Sequence, residues 1–316
     1  MRRSNADRAG GASTRSTGAI VLGAGRSWPS SKEDRAVSRV LPEVTHFLDR
    51  DMTEADLCAI GAGQAAVFSS RCPEKSTPNE DAAVLIPTNG DSAVLVVADG
   101  LGGEQAGDQA ARLAIECMIE SIQEPAAEEG LLRTAVLNGF ERANEAVLGL
   151  GVGAATTLAV VEIAGRVARP YHVGDSMILI VGQRGKIQLQ TTAHSPVGFA
   201  VESGMLDEKE AIHHEQRHIV SNVIGSASMK IEIGPTIQLK PYDTVLIASD
   251  GLFDNLHVRE IVDRIRKGRL DEAARRLVDA TRRRMDGSNE AQPSKPDDLT
   301  FILFRLPSPP KSRTPG

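Results

Sequence analysis

The chain has 316 residues, of which 41% are hydrophobic, 25% are charged and 3% are aromatic, and its formal net charge is −6. The apolar content is ordinary for a globular protein, whose core here must rest on Val, Ile, Leu and Ala, and the acidic charge argues against a general nucleic-acid binder. Three widely spaced cysteines fit a reducing cytosol and argue against a disulfide framework or a zinc site. No apolar run reaches the roughly 18 residues of a membrane span. We therefore expect a cytoplasmic protein that binds neither nucleic acid nor membranes.

The two ends of the chain differ in composition from the middle. Residues 1–42 are rich in Ser, Arg, Gly and Ala without sustained periodicity, which predicts a flexible tail. Residues 307–316 are rich in Pro, Ser and Lys and predict a second, disordered tail. Between them, Thr45–Leu57 suggests a short helix that ends near Gly61, and Ala65–Ser70 suggests a first strand.

A β-hairpin is predicted next. Ala82–Pro87 and Ala93–Ala98 are apolar runs on either side of an Asn-Gly turn signal. In an antiparallel pair, the start of the first strand and the end of the second lie at the same end of the sheet. The hairpin therefore places Glu80 and Asp81 near Asp99.

The middle of the chain predicts two helices and then a meander. Residues 104–123 and 128–149 carry apolar residues at helical spacing. Short strands with tight turns follow, which favours an antiparallel or mixed sheet over a βαβ arrangement. These strands are predicted at Thr156–Ile163, Val167–Val173, Met177–Val181 and Lys186–Thr191.

A polar excursion interrupts this pattern at Ala193–Arg217, with a possible helix at Asp207–His214. The remaining elements are predicted as a loop at Asn222–Met229, strands at Gly234–Leu239 and Asp243–Ala248, helices at Leu256–Arg266 and Asp271–Met285, and a final strand at Leu299–Leu306.

Two apolar runs end in the same way. Val94–Gly103 and Thr244–Gly251 each begin as an apolar run, which reads as a buried strand, and each run ends in Asp-Gly, at Asp99-Gly100 and Asp250-Gly251. A single Asp at a strand end is usually a turn former or a helix cap, but several such acids together suggest a site for hard divalent cations, which prefer oxygen ligands. Two such ions can activate water against a phosphorus atom. The candidate acids are Glu80, Asp81, Asp99, Asp175, Asp250 and Asp297.

This set of motifs resembles the bacterial-type metal-dependent Ser/Thr protein phosphatases of the type 2C class. Each motif alone is weak, but their order and spacing over roughly residues 65–306 are specific. The matching segments are N-E-D at Asn79–Asp81, D-G-L-G-G at Asp99–Gly103, G-A-A-T-T at Gly153–Thr157, G-D-S at Gly174–Ser176, A-H-S at Ala193–Ser195, S-N-V-I-G-S at Ser221–Ser226, S-D-G-L at Ser249–Leu252 and D-D-L-T at Asp297–Thr300.

The resemblance implies an α+β fold in which a central β-sandwich of two mixed sheets is flanked by helices, in four α-β-β-α layers, with residues 43–306 as the catalytic domain. The cofactor would be two Mn²⁺ or Mg²⁺ ions at one edge of the sandwich, with a third possible, and metal-bound hydroxide as the nucleophile. The substrates would be phosphorylated proteins, in opposition to a Ser/Thr kinase. The oligomeric state is left open.

Residue roles also follow from the resemblance. Asp99 would bridge both ions, the Gly100 carbonyl would bind one, and Asp250 and Asp297 would complete the other. The remaining roles are Glu80 as a ligand of the second ion, Asp81 as the holder of metal-bound water, Asp175 and Asp254 as ligands of a third, looser ion, and Ala193–Ser221 as a mobile flap.

The sequence departs from the family pattern at three positions. Ser76 stands where a phosphate-binding Arg is usual, so Arg71 or Lys75 would have to take that part, although an Arg fork and a Lys point charge are not equivalent. Leu101 replaces a His found in some members, and Met177 replaces a usual Arg.

Two other functions stay open. The missing Arg is compatible with a catalytically weak or inactive module that binds phosphoproteins as a scaffold, although retention of every metal acid argues against it. The third hypothesis is a metal-dependent hydrolase of small phosphate esters.

Overall fold

The computed structural model describes residues 39–40, 43–101, 106–124, 132–287 and 292–307. Most of the two predicted tails lies outside these residues. The helices are α1 Gly107–Gln123, α2 Leu132–Gly149, α3 Pro196–Glu202, α4 Glu208–Ala211, α5 Asp250–Phe253, α6 Val258–Ile265 and α7 Leu270–Met285. The strands are β1 Arg39–Val40, β2 Thr45–Leu48, β3 Asp56–Ile60, β4 Gly63–Ser70, β5 Asp81–Pro87, β6 Ser92–Leu101, β7 Ala155–Thr156, β8 Leu158–Ala164, β9 Val167–Val173, β10 Met177–Val181, β11 Ile187–Gln190, β12 Glu232–Ile233, β13 Ile237–Gln238, β14 Thr244–Ala248 and β15 Leu299–Arg305.

The strands form two sheets. The first has the order β1-β3-β4-β15-β14-β10-β11, and the second has the order β12-β9-β8-β6-β5-β2, with β13 on β9 and β7 on β6. Within the described residues every ladder is antiparallel except the parallel pair of β1 and β3. The predicted antiparallel pairing is therefore confirmed, but the predicted meander is divided, because β8 pairs with β9 in the second sheet and β10 pairs with β11 in the first.

Three apolar layers hold the fold together. The strand period of two sends alternate side chains to opposite faces of each sheet. In β6, for example, Val94 and Val96 pack with α1 and α2, whereas Leu95 and Val97 pack between the sheets. In β14, Leu246 packs towards α6 and α7 on the outer face of the first sheet. The result is the four-layer α-β-β-α sandwich that the resemblance implied.

The hairpin prediction is confirmed, but the helix predicted at Thr45–Leu57 is wrong. That segment contains β2, which pairs with β5, and β3, which pairs with β4. Pairing with neighbouring strands overrides the weak helical pattern, since it buries Phe47, Cys58 and Ile60 in the layer between the sheets.

The bounds of other helices and strands differ from the predicted ones by a few residues. The predicted strand at Thr156–Ile163 is interrupted at Thr157, and the predicted helix at Asp207–His214 shortens to α4. No helix of the described residues has both the length and the apolar character needed to span a membrane.

Candidate active site at one edge of the sandwich

The hairpin places two aspartates directly opposite each other. Asp81 begins β5 and is paired in register with Asp99 near the end of β6. Both occupy odd-numbered positions, like Ala83, Leu85 and Val97, whose side chains lie between the sheets. The alternation that builds the core therefore directs both carboxylates to the space where the two sheets meet.

A polar network closes the core beneath these acids. The Ser249 hydroxyl, which follows β14, donates to Asp81 Oδ2 at 2.8 Å, so it joins the first sheet to the second. On the first sheet, the Thr300 hydroxyl donates to Ser69 Oγ at 2.8 Å. The Asn79 amide also donates to Ser69 Oγ, while Asn79 Oδ1 accepts from the Asp81 backbone N–H at 2.9 Å. These bonds fix the edge that carries the acids.

The first sheet contributes its own acids to the same edge. Asp250 follows β14, Asp254 lies one helical turn later, and Asp297 precedes β15. The ammonium of Lys295 lies 2.5 Å from Asp250 Oδ2, 2.9 Å from Asp254 Oδ2 and 3.1 Å from Asp297 Oδ2. Nothing in the sequence patterns had pointed to this lysine.

Asp175 lies where the chain passes from one sheet to the other. β9 belongs to the second sheet and β10 to the first, and only Gly174, Asp175 and Ser176 connect them. Gly174 has a φ of +107°, and a Cβ there would lie 2.6 Å from the Thr157 side chain, so glycine is required. Thr157 Oγ1 lies 2.7 Å from Ser176 Oγ and accepts from the Asp99 backbone N–H. Thr157 therefore links the β9–β10 connection, which contains Asp175, to β6, which contains Asp99.

A buried histidine holds the same connection from the other side. The Gly174 backbone N–H donates to His194 Nδ1 at 3.0 Å, and the His194 N–H donates to the Gly174 carbonyl. Because Nδ1 accepts, Nε2 carries the proton and donates to Glu232 Oε2 at 3.1 Å. Asn222 also donates to Nδ1, at 2.9 Å. The A-H-S and S-N segments thus position the Gly-Asp-Ser connection.

His172, His194 and Glu232 form a compact group of potential ligands, with the two rings stacked 4.3 Å apart. Binding a metal through His194 Nε2 would need a proton on Nδ1, which already accepts two hydrogen bonds. Burial, together with His194, lowers the pKa of His172 to about 4, so its ring is neutral. The group therefore packs the interior and holds the Gly174–Ser176 connection in place.

Burial and, after it, repulsion between carboxylates disfavour negative charge at the acid edge. Burial raises the pKa of Asp81 and Asp99 well above the ordinary carboxyl range, and neighbouring carboxylates raise it further. Burial, with Asp250 and Asp254, raises the pKa of Asp175 to about 8. Burial and Asp250 raise the pKa of Asp297 to about 6, although Lys295 opposes the shift. A cluster of this kind binds cations because cations relieve the repulsion.

The glycines of both Asp-Gly pairs allow close backbone approach. A Cβ on Gly100 would lie 2.1 Å from the Gly107 carbonyl oxygen, and one on Gly251 would lie 1.9 Å from the Asp298 carbonyl oxygen. Each glycine therefore lets the turn after its aspartate pack directly against the next element.

The two predicted phosphate-binding residues are both paired with acids. Arg71 is partly exposed and donates to Asp51 Oδ2 at 2.9 Å. The Lys75 ammonium donates to Glu80 Oε2 at 2.6 Å and to Asp298 Oδ2 at 2.7 Å. Asp298 is 4% exposed and also accepts from the Glu80 backbone N–H at 2.7 Å. It organises the loop around Glu80, a part that the sequence analysis had not assigned to it.

A cavity of about 390 Å³ adjoins the acids beneath the polar excursion. Asp175 and Asp254 line one side, and Val201 and Ile212 of the excursion line another. The excursion holds α3 and α4, and Arg217 within it donates to the Ser294 carbonyl at 3.3 Å. A substrate side chain near the acids would therefore contact the excursion.

The family model described as protein phosphatase 2C matches residues 70–292. The chain belongs to the protein phosphatase 2C family.

Individual relatives agree with this assignment. A putative protein phosphatase 2C-type of Streptococcus pyogenes is 30% identical over 214 residues, which is 65% of this chain and 86% of the relative. A Streptococcus agalactiae serine/threonine phosphatase has a superposable structure with a TM-score of 0.66 and 27% identity, covering 77% of this chain and 99% of that one. The catalytic domain of the phosphatase PstP, solved with two manganese ions, has the same fold, with a TM-score of 0.60, 24% identity and coverage of 77% and 98%. The predicted family, fold class and enzyme class are thus confirmed.

Against this 2C-family background, the unforeseen residues are Lys295, Asp298 and Asn255. Lys295 lies two residues before the recognised Asp297 and Asp298 lies directly after it, but no sequence pattern gave either of them a role. Asn255 shows no local pattern, although it is fully buried and binds the backbone of Lys295.

Proposed function

We propose that this protein removes phosphate from phosphoserine and phosphothreonine in proteins with the help of Mn²⁺ or Mg²⁺, opposing a Ser/Thr kinase in the cytoplasm. The observation that carries the proposal is the convergence of six aspartates from both sheets at one edge. Family membership supports the reaction class. The aspartates are Asp81, Asp99, Asp175, Asp250, Asp254 and Asp297.

The residues at this edge suit hard divalent ions. All the donors are oxygens, and among the described residues Asp81 receives one side-chain hydrogen bond, from Ser249, while no side chain or backbone group donates to the Asp99 carboxylate. Buried carboxylates with so few donors stay charged only beside cations. Asp99, the Gly100 carbonyl, Glu80, Asp250 and Asp297 would hold two ions, and when bound the pair supplies an activated water and neutralises charge on the phosphoryl oxygens.

The chain's own groups would orient the reactants. Asp81 accepts from Ser249 through Oδ2, which leaves Oδ1 to hold the attacking water. Arg71 or Lys75 would bind the substrate phosphate. Because Leu101 has no titratable group, the leaving hydroxyl would take its proton from water or from another side chain.

The test is turnover of a phosphothreonine peptide with and without Mn²⁺. We expect phosphate release by the wild-type protein with Mn²⁺ and none with Asp250→Asn. The matched control is Asp279→Asn on α7, an exposed position, which should behave as wild type.

Two results would redirect the proposal. Release of phosphate from small metabolite esters but not from the peptide would favour a hydrolase of small esters. No release from folded, Mn²⁺-loaded wild type would refute the proposal and favour a phosphoprotein-binding scaffold.

A further inference from the structure

Lys295 reaches into the acid edge from the loop before β15. Its Nζ carries three N–H donors, and it lies within 3.1 Å of one oxygen of each of Asp250, Asp254 and Asp297. Among the described residues it is the one Lys or Arg that forms an ion pair with these three aspartates. The ammonium thus occupies a position that a free cation would otherwise take.

The backbone of this lysine is fixed rather than loosely placed. The Lys295 N–H donates to Asn255 Oδ1 at 2.9 Å, and Asn255 Nδ2 donates back to the Lys295 carbonyl at 2.8 Å. The same amide group donates to the Gly251 carbonyl at 2.9 Å. Since Gly251 follows Asp250 directly, Asn255 fixes the backbone of Lys295 relative to that of Asp250. Arg284 in turn donates to the Asn255 carbonyl at 3.0 Å.

The charges explain why this position matters. The three carboxylates that surround the Lys295 ammonium, at 2.5 to 3.1 Å, favour its charged form. A cation on the same chain competes at a high effective concentration with an ion from solution. Lys295 contacts Oδ2 of Asp250 and Oδ2 of Asp297, so their Oδ1 atoms remain for the proposed pair of ions, whereas Asp254 belongs only to the third ion that the family resemblance implies.

We propose that the Lys295 ammonium is a built-in cation that takes the place of a third divalent ion beside Asp254, so that this protein binds two ions where it would otherwise bind three. The inference rests on the proposed metal centre. Lys295 acts here as a positioning residue, because it holds Asp250 and Asp254 as an ion would.

The test counts bound Mn²⁺ by equilibrium dialysis and calorimetry for wild type, Lys295→Met and the double variant Lys295→Met/Asp254→Asn. We expect two ions per chain for wild type, three for Lys295→Met and two again for the double variant. We also expect metal-free Lys295→Met to melt about 5 °C or more below wild type, because it leaves buried carboxylates without their cation, and Mn²⁺ to restore most of that loss.

Lys240→Met is the matched control, because Lys240 is exposed and lies beyond the opposite end of β14. It should bind Mn²⁺ and melt as wild type does. Equal ion counts for wild type and Lys295→Met, or three ions in wild type, would overturn the Lys295 inference and leave the metal centre standing. No Mn²⁺ bound by any variant would overturn both.

Discussion

Asp81 and Asp99 face each other across two neighbouring strands, where like charges are unfavourable. Backbone pairing keeps both in place, and Ser249 also donates a hydrogen bond to Asp81. Each residue is therefore placed against its own electrostatic preference. Neutralising either carboxylate by substitution should therefore raise the stability of the metal-free protein.

The Asp99→Asn variant tests this directly. We expect the metal-free variant to melt a few degrees above metal-free wild type, because one repelling charge is gone. Its Mn²⁺-dependent turnover should fall by at least about 100-fold, as expected when a group that holds transition-state charge is lost. Thermal melts and peptide kinetics give both numbers, and near-normal turnover would show that Asp99 is not a ligand.

Substitutions of Arg71 and Lys75 can distinguish an effect on stability from an effect on substrate binding. Lys75→Ala should destabilise the fold by about 3 kcal/mol, because it leaves the buried Asp298 unpaired, whereas Arg71→Ala should leave the melting temperature unchanged. The variant that lost the phosphate contact should show a raised KM for phosphothreonine peptide. Denaturant unfolding and steady-state kinetics measure the two effects, and an unchanged KM in both variants would place the phosphate contact elsewhere.

At the scale of elements, the Asp-Gly pairs at the ends of β6 and β14 both pack tightly on neighbouring backbone. The clearest case is Gly251, whose missing side chain lets α5 lie on the Asp298 carbonyl. This contact holds the Asp250 turn and the Asp297 loop together.

Gly251→Ala should therefore be costly despite the helical conformation of the site. We expect a loss of about 2 kcal/mol or more, as for insertion of a methyl group into a packed interior, with weaker Mn²⁺ binding. Gly149→Ala is the control, because a Cβ there meets nothing within 4 Å. Urea unfolding and Mn²⁺ titration of both variants decide the matter, and equal stabilities would mean that the contact yields easily.

The sequence predicted the elements that carry a strong local pattern. The hairpin of β5 and β6, the antiparallel pairs β8–β9 and β10–β11 and both Asp-Gly strand ends were visible because alternation and turn residues are local signals, whereas the division of those pairs between two sheets was not. β2 and β3 were missed because strand pairing, not local preference, decides their conformation. Lys295 and Asp298 were missed because their partners are 40 or more residues away in sequence, apart from the neighbouring Asp297. The roles of the individual acids stay predictions.

At the scale of the whole molecule, the acids come from both sheets. Asp81 and Asp99 belong to the second sheet, Asp250 and Asp297 to the first, and Asp175 to the connection between them. Ions bound at this edge would link the two halves of the sandwich, so the stability of the entire fold should depend on metal and on pH.

The pH dependence has a definite sign. The pKa of Asp175 is raised to about 8 and that of Asp297 to about 6, whereas unfolded carboxyls titrate near about 4. Between pH 4 and about 8 the folded, metal-free chain therefore holds more protons than the unfolded chain, so its free energy of unfolding falls as pH rises. The increase in melting temperature on adding Mn²⁺ should be larger at pH 8 than at pH 6, since the ions need deprotonated ligands.

Melting curves at both pH values, with Mn²⁺ and with chelator, check this expectation. A Mn²⁺ shift that is equal at pH 6 and pH 8 would contradict it, as would a metal-free protein that becomes more stable between pH 5 and pH 8.

The turn at Asn89–Gly90 offers a handle for attaching the protein to a surface. It is exposed and lies at the far end of the hairpin from Asp81 and Asp99. Six residue steps separate the pair Pro87–Ala93 from the pair Asp81–Asp99, a distance of about 20 Å along the strands. A tether at this turn would hold the molecule with its acid edge pointing away from the support, which leaves room for a substrate as large as a folded protein.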